Sequence, residues 1–350
     1  MKVTNLGEMI HNDRDGIYNY CPSIFEMDGK RYVYYCTNKD YKKIIDHIGY
    51  REAVQNEDGR WKFGEESLVL APTPNSWDSV HTCDPSVIAG QFRYNGEDYN
   101  YLMTYLGCIT LNCQENEGGL AVSKNPEGPW IKVDELNPIA KYKRNMDIDQ
   151  NLFQWGYGQG CLVSVDKKGE VLLFMSYGTG LKSGTYVERW DFSNLNNPVR
   201  KFHYDMPCNG LLSLDGKPDY IKNGDFCYDM RRKRLYAVDD CRPHLYNQEN
   251  VQPTIVSAYC RLSYIQFEND EDWCSDLSKI NVEWKTEQVI GREYTGFVRN
   301  HNCGLVTDKY GHMLDSHKVE LCYTMSLTHP DDILYTLWSY RIHSCIVEID

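Results

Sequence analysis

The chain has 350 residues, 41% of them apolar, and a formal net charge of -13. Its one Lys/Arg-rich run, Met230 to Arg234, abuts a strand signal and reads as a hairpin turn, so the basic face that a nucleic acid or an anionic membrane requires is missing. No apolar run approaches a membrane span and MKVTNLGEMIHNDRDG lacks the apolar segment of an export signal, so a cytoplasmic protein with neither kind of partner is expected.

The elements predicted along the chain are nearly all strands. RYVYYCTN (31–38), YNYLMTYLG (99–107), GGLAVSK (118–124), EVLLFMSYG (170–178), GTYVERWDF (184–192), RLYAVDD (234–240), TIVSAYCRLSYIQF (254–267), VELCYTMSL (319–327) and TLWSYRIHSCIVEI (336–349) are short and rich in Val, Tyr, Thr and Ile. Between such segments, MDGK (27–30), NGED (95–98) and DKKGE (166–170) supply the Gly and Asx residues that hairpin turns need. Helical periodicity is nearly absent. Aromatic residues are 13% of the chain, with 27 tyrosines and 8 tryptophans, which suits strands and also flat, hydroxylated ligands such as sugars. The 14 cysteines are scattered singly, with no C-x-x-C pair and no zinc-finger spacing, so buried free thiols in a reducing compartment are expected rather than a disulfide framework.

One unit recurs: a polar cluster, a small apolar strand, a turn and an aromatic strand. Its copies begin at Tyr18, His81, Tyr157, Asn223 and Asn300. Anchored at Cys21, Asp84, Gly160, Asp225 and Asn302, they lie roughly 70 residues apart, a period that fits a propeller with large blades. The fold expected is therefore all-β: a single five-bladed β-propeller domain over 1–350, with four-stranded antiparallel blades around a central channel. Residues 1 to 6 and the C-terminal IHSCIVEID would share a blade and close the ring. The first strand of each blade lines the channel, so five polar clusters distant in sequence would converge on one pocket.

At these residues the sequence resembles the five-bladed propeller glycoside hydrolases, most closely the family 43 clan of arabinofuranosidases, xylosidases and arabinanases. The specific pieces are CDPSVIAGQF (83–92), GGLAVSKNPEGPW (118–130) and HNCGLVTDKYG (301–311). The resemblance implies three carboxylates at the channel mouth: a general base in the first blade, a positioning Asp in the second, and a general acid in the third. Here the first position is Cys21 and the third is Gln159, and only Asp84 keeps its carboxylate. Glu127, in the Pro-Glu-Gly-Pro turn, is expected to be exposed and inert.

Asp84 and Asp225 are the expected acid–base pair. Tyr20, Cys21, Trp77, His81, Trp155, Gln159, His301 and Asn302 are the expected substrate-binding groups, with Trp155, which leads into Gln159, the favoured stacking platform. His301 is also the candidate metal ligand. No cofactor is required, although a calcium or similar cation in the channel is compatible with the resemblance. Asp46, His47 and Arg51 fall on a segment assigned to the second hairpin of blade one, and Asp147 and Asp149 on a loop over the pocket. The expected activity is hydrolysis of short plant- or glycan-derived oligosaccharides. A non-catalytic carbohydrate-binding propeller is the second reading. A glycoside phosphorylase is the third, with Arg299 and His301 as its thin supply of phosphate-holding groups.

Overall fold

The computed structural model describes residues 2–10, 16–242, 245–246, 255–326 and 335–349. Strand β1 (Val3–Glu8) opens the chain. Blade one follows, with β2 (Asn19–Met27), β3 (Lys30–Asn38), β4 (Asp46–Gln55) and two short strands, β5 (Trp61–Phe63) and β6 (Ser67–Leu70), both paired with β4. Blade two holds β7 (His81–Tyr94), β8 (Glu97–Cys108), β9 (Glu117–Ser123) and β10 (Ile131–Lys132). Blade three holds β11 (Gly156–Ser164), β12 (Glu170–Gly178), β13 (Ser183–Asp191) and β14 (Val199–Asp205). In blade four, β15 (Asp225–Asp229) and β16 (Arg234–Cys241) are followed by a two-stranded ribbon, β17 (Leu245–Tyr246) and β18 (Ile255–Val256). Strands β19 (Tyr259–Gln266) and β20 (Trp284–Ile290) complete that blade. Blade five is β21 (Arg299–Asp308), β22 (Lys318–Ser326), β23 (Arg341–Glu348) and, as its outer strand, β1.

The ring closes as expected. β1 runs antiparallel to β23, with Val3 opposite Val347 and Thr4 opposite Ile346, so the two ends of the chain share one sheet and β1 covers the edge of β23. The inner strands β2, β7, β11, β15 and β21 touch in that cyclic order. Apolar cores fill the wedges between blades. Ile88, Leu102, Leu120 and Leu173 join blades two and three; Phe174 and Phe226, stacked 3.9 Å apart, join three and four. Similar clusters join four to five, one to two and five to one. Period-two alternation gives each blade two apolar faces for these wedges, which is why the strands read as near-continuous apolar runs.

Two predicted strands differ in detail. TLWSYRIHSCIVEI begins with a helical turn, α2 (Tyr335–Trp338), whose Trp338 stacks 5.8 Å from Tyr18. TIVSAYCRLSYIQF breaks at Ser257 and Ala258, leaving β18 and β19 as separate strands. A second α-helical turn, α1 (Arg292–Thr295), ends on Gly296 at φ 81.

Candidate functional site

Four of the five inner strands are distorted at the same point. The pairing register slips between Tyr20 and Ser23 in β2, Cys83 and Ser86 in β7, Gly158 and Gly160 in β11, and His301 and Gly304 in β21. Within each slip a non-glycine residue has left-handed backbone: Cys21 (φ 49), Asp84 (φ 47), Gln159 (φ 40) and Asn302 (φ 45). Asn223 (φ 48) holds the same conformation just ahead of β15. Such residues cost about 1–3 kcal/mol each and persist only where the surroundings fix them, often beside sites of function. The repeat therefore anchors at Gln159 rather than Gly160, and at Asn223 rather than Asp225.

These bulged residues form an upper tier around the axis. The Gln159 N–H donates to Asp84 Oδ2 at 3.2 Å, Asn302 Nδ2 donates to Gln159 Oε1 at 3.0 Å, and Gln159 Nε2 donates to the Cys303 carbonyl at 3.3 Å. Gln159 is thus a buried amide with its oxygen and one of its hydrogens engaged. Enclosure pushes the Asp84 carboxyl up to about 6, against hydrogen bonds from Cys21 and the Gln159 N–H. The same enclosure and the neighbouring Asp84 raise the Cys21 thiol well above its usual range. A thiol so held is a poor base.

Two positions further along, a second tier fastens the blades together. Ser23 Oγ accepts the Val87 N–H at 3.1 Å, Ser86 Oγ accepts the Leu162 N–H at 3.0 Å, and Cys161 Sγ accepts the Phe226 N–H at 3.3 Å. Asp225 Oδ2 accepts the Leu305 N–H at 2.7 Å. In each case the side chain two residues after the bulged position serves the amide three residues after the bulged position of the next blade. The fifth seam has Gly304 at this place. A Cβ there would lie 2.5 Å from the Pro22 carbonyl, and its absence lets β21 and β2 pair directly in parallel, Ile24 opposite Val306. Asp225 therefore occupies a blade-fastening position in the narrow axial passage with Ser23, Ser86 and Cys161, and not the mouth tier where the repeat anchor had put it. Enclosure raises its carboxyl to about 6 as well, opposed by Cys161 and the Leu305 N–H.

Partners for the mouth come from second and third strands. His301 Nδ1 lies 2.6 Å from Asp240 Oδ2, and Asn223 Nδ2 donates to the same oxygen at 3.1 Å. Burial pushes Asp240 upward, but the His301 ring and these hydrogen bonds outweigh it and hold the carboxyl below the usual range. The His301 side chain is 19% exposed, Asp240 1%. Behind Asp240, Arg261 grips its cross-strand neighbour Asp239 with two bonds of 3.0 and 2.8 Å and reaches Asp219 at 3.2 Å, all three buried. Sequence reasoning missed Asp240; the paired acids closing RLYAVDD were the available signal.

The cysteine expectation needs correction. Cys36, at the end of β3, and Cys83, in β7, form a disulfide with Cα atoms 5.1 Å apart, tying blade one to blade two beside Asp84. The Asp84 N–H donates to Cys36 Sγ at 2.9 Å, and the Tyr20 hydroxyl lies 2.9 Å from Cys83 Sγ. The other cysteines are free, most of them buried. A pair separated by 47 residues on neighbouring blades leaves no local spacing to read.

The remaining expected binding groups divide. Tyr20 and Trp155 pack half-buried against Cys21, Cys83 and Leu106 at the mouth, Trp155 covering Gly158 and Gly178. Trp77 lies instead over Gly107 and Gly119, 5.5 Å from the Tyr105 ring, within the wedge between blades one and two. His81 is fully buried, its Nδ1 2.7 Å from Asp46 Oδ2. Asp46, His47 and Arg51 lie on β4, so the second hairpin of blade one is where they fall. Asp147, Asp149 and Glu127 are exposed. Among the described residues two trios of metal-ligating side chains cluster: Cys21, Cys36 and Asp84, whose Cys36 is spent in the disulfide, and Asp46, His81 and Cys113. His301 belongs to neither.

No family model matches the chain, and no curated protein matches it by sequence. Solved structures do match in fold. The family 117 glycoside hydrolase Zg3597 of the marine bacterium Zobellia galactanivorans superposes with a TM-score of 0.57 at 12% identity, covering 99% of this chain and 89% of its own. The α-L-arabinofuranosidase PaAbf62A of Podospora anserina, solved with cellotriose, gives 0.54 at 10% identity, with 98% and 96% covered. A thermostable family-43 glycoside hydrolase gives 0.52 at 14% identity, with 96% and 91% covered. The chain is thus an all-β propeller of the architecture found in glycoside hydrolases, whole length against whole length.

Proposed function

We propose that the chain is a glycoside hydrolase-like enzyme that works on short oligosaccharides at the channel mouth, with Asp84 as the proton-bearing carboxyl and the His301–Asp240 pair as its basic partner. One observation carries this reading: Asp84 is tied through Gln159 to Asn302, the residue next to His301, so the carboxyl and the His301–Asp240 pair meet across one hydrogen-bonded tier. A carboxyl at about 6 is still partly protonated near neutrality, which a general acid needs. Asp240 engages His301 Nδ1, so Nε2 is the nitrogen left to take a proton from water. Asp225, used by the Leu305 N–H, is not part of this pair. Gln159 and Asn302 order the tier, while Tyr20 and Trp155 offer half-buried aromatic surface beside it.

The test is turnover on a panel of aryl-glycosides and short oligosaccharides. Wild type should release product, and Asp84→Asn and His301→Ala should each lower kcat by about 10²–10⁴-fold. Full activity in both variants removes the assignment. The second reading, carbohydrate binding without hydrolysis, is favoured by Cys21 and Gln159 at the positions where the resemblance implies a base and an acid. It predicts saturable binding by calorimetry and no product after long incubation. A phosphorylase would show turnover only with added phosphate.

A further inference from the structure

Beside the bulged tier but outside it, three side chains of different chemistry meet between β4, β7 and the loop from β8 to β9. A ring nitrogen of His81, the Sγ of Cys113 and a carboxylate oxygen of Asp46 all lie within 4.8 Å of one another. Asp46 and His81 are buried, His81 completely, and Cys113 is partly exposed. Asp46 is itself braced, its Oδ1 accepting the Tyr18 hydroxyl at 2.5 Å while its Oδ2 lies 2.7 Å from His81 Nδ1. The other ring nitrogen, Nε2, is buried and has no hydrogen-bond partner. A buried nitrogen of this kind is an unmet demand for a donor or a cation.

The loop is built to hold Cys113 in place. Thr110 Oγ1 donates to the Gln114 carbonyl at 2.9 Å and accepts the Gln114 N–H at 3.0 Å, and Asn116 Nδ2 donates to the Cys113 carbonyl at 3.1 Å. Cys113 itself sits at φ 51, a left-handed conformation that non-glycine residues seldom adopt.

We propose that His81, Cys113 and Asp46 form a binding site for a zinc-class divalent cation. One nitrogen, one sulfur and one carboxylate oxygen are the donor mixture that zinc accepts, whereas calcium and magnesium call for oxygen alone. The Tyr18 hydroxyl on Asp46 Oδ1 is the kind of outer partner that orients a ligating carboxylate. Three protein donors leave a fourth position to water. Binding takes the proton from the Cys113 thiol, which leaves with solvent. The site shares no residue with Asp84, Gln159, His301 or Asn302, so it stands or falls apart from the hydrolase reading.

The experiment titrates the whole chain, stripped by chelator and kept under argon without reductant so that Cys36–Cys83 stays closed. Cobalt(II) is the probe, with zinc as competitor. One equivalent of cobalt should produce a sulfur-to-cobalt charge-transfer band in the near ultraviolet, which zinc then abolishes. Cys113→Ser should lose that band and bind zinc at least tenfold more weakly, while melting like the metal-free wild type. His81→Gln should also lose stoichiometric uptake, and Asp84→Asn should keep it. No stoichiometric uptake by wild type, or an unchanged band and affinity in Cys113→Ser, overturns the proposal.

Discussion

Asp84 and Asp225 look alike by every local measure. Each follows a polar cluster at the start of an inner strand, and enclosure raises each carboxyl to about 6. Their partners differ. Asp225 does for the Leu305 N–H what Ser23, Ser86 and Cys161 do for the amides of their own neighbouring blades. Asp84 sits two tier positions earlier, at the bulged residue itself, facing Gln159 and the disulfide. A raised carboxyl at a propeller axis thus marks enclosure first; both carboxyls accept an amide of the next blade, and what sets Asp84 apart is its place in the bulged tier with Gln159 and Asn302.

The sharpest break of that comparison is at His301–Asp240. If the upper tier is the working one, Asp240→Asn should lower kcat by about 10²–10⁴-fold in steady-state assays on protein first shown by melting to be folded. Opening the disulfide comes next. Cys36→Ser with Cys83→Ser removes a covalent tie between blades one and two and should cost about 2–4 kcal/mol in denaturant unfolding. Smaller again is the fastening tier. Asp225→Ala leaves the buried Leu305 N–H without its acceptor and should cost about 1–3 kcal/mol. Asp225→Ser supplies the hydroxyl that works at two other seams, and should recover most of that loss in the same urea titration.

The comparison also has a pH signature, and its sign is fixed. A carboxyl raised from about 3.9 in the unfolded chain to about 6 in the fold holds its proton more tightly when folded. The stability it contributes is complete below pH about 4 and is lost as pH rises through about 6. Asp225→Ser should therefore flatten the fall in stability between pH 4 and pH 6, read from urea titrations, by up to about 1.4 kcal/mol per pH step of one. A steeper fall in the variant would contradict the origin given for that raised carboxyl.

Much of the fold was legible because its signals are local. Hairpin turns at Asp28-Gly29 and Asn95-Gly96 fall where glycine or Asx backbone is required, and the strands beside them follow; in the third expected turn, DKKGE, it is Lys167 that is left-handed. Ring closure by β1 and β23 followed from the need to cover edges. The site was legible only in outline. Gly160 and Asp225 slipped as anchors by one and two residues because a left-handed Gln159 or Asn223 leaves little compositional trace; Asn223-Gly224 was the better cue. Asp240, Asp46 and Cys36 reach the mouth region from second and third strands, whose lateral pairing no single sequence displays. Trp77 looked like a sugar platform until the space over Gly107 and Gly119 proved to be its seat.

The most direct test sets the two aspartates against each other. Product release from the glycoside and oligosaccharide panel would be measured side by side for wild type, Asp84→Asn and Asp225→Ser, each first shown by melting to be folded. The tiered account predicts turnover in wild type and Asp225→Ser, within about tenfold of each other, and a loss of about 10²–10⁴-fold in Asp84→Asn. Loss confined to Asp225→Ser, or equal turnover in all three, would contradict it.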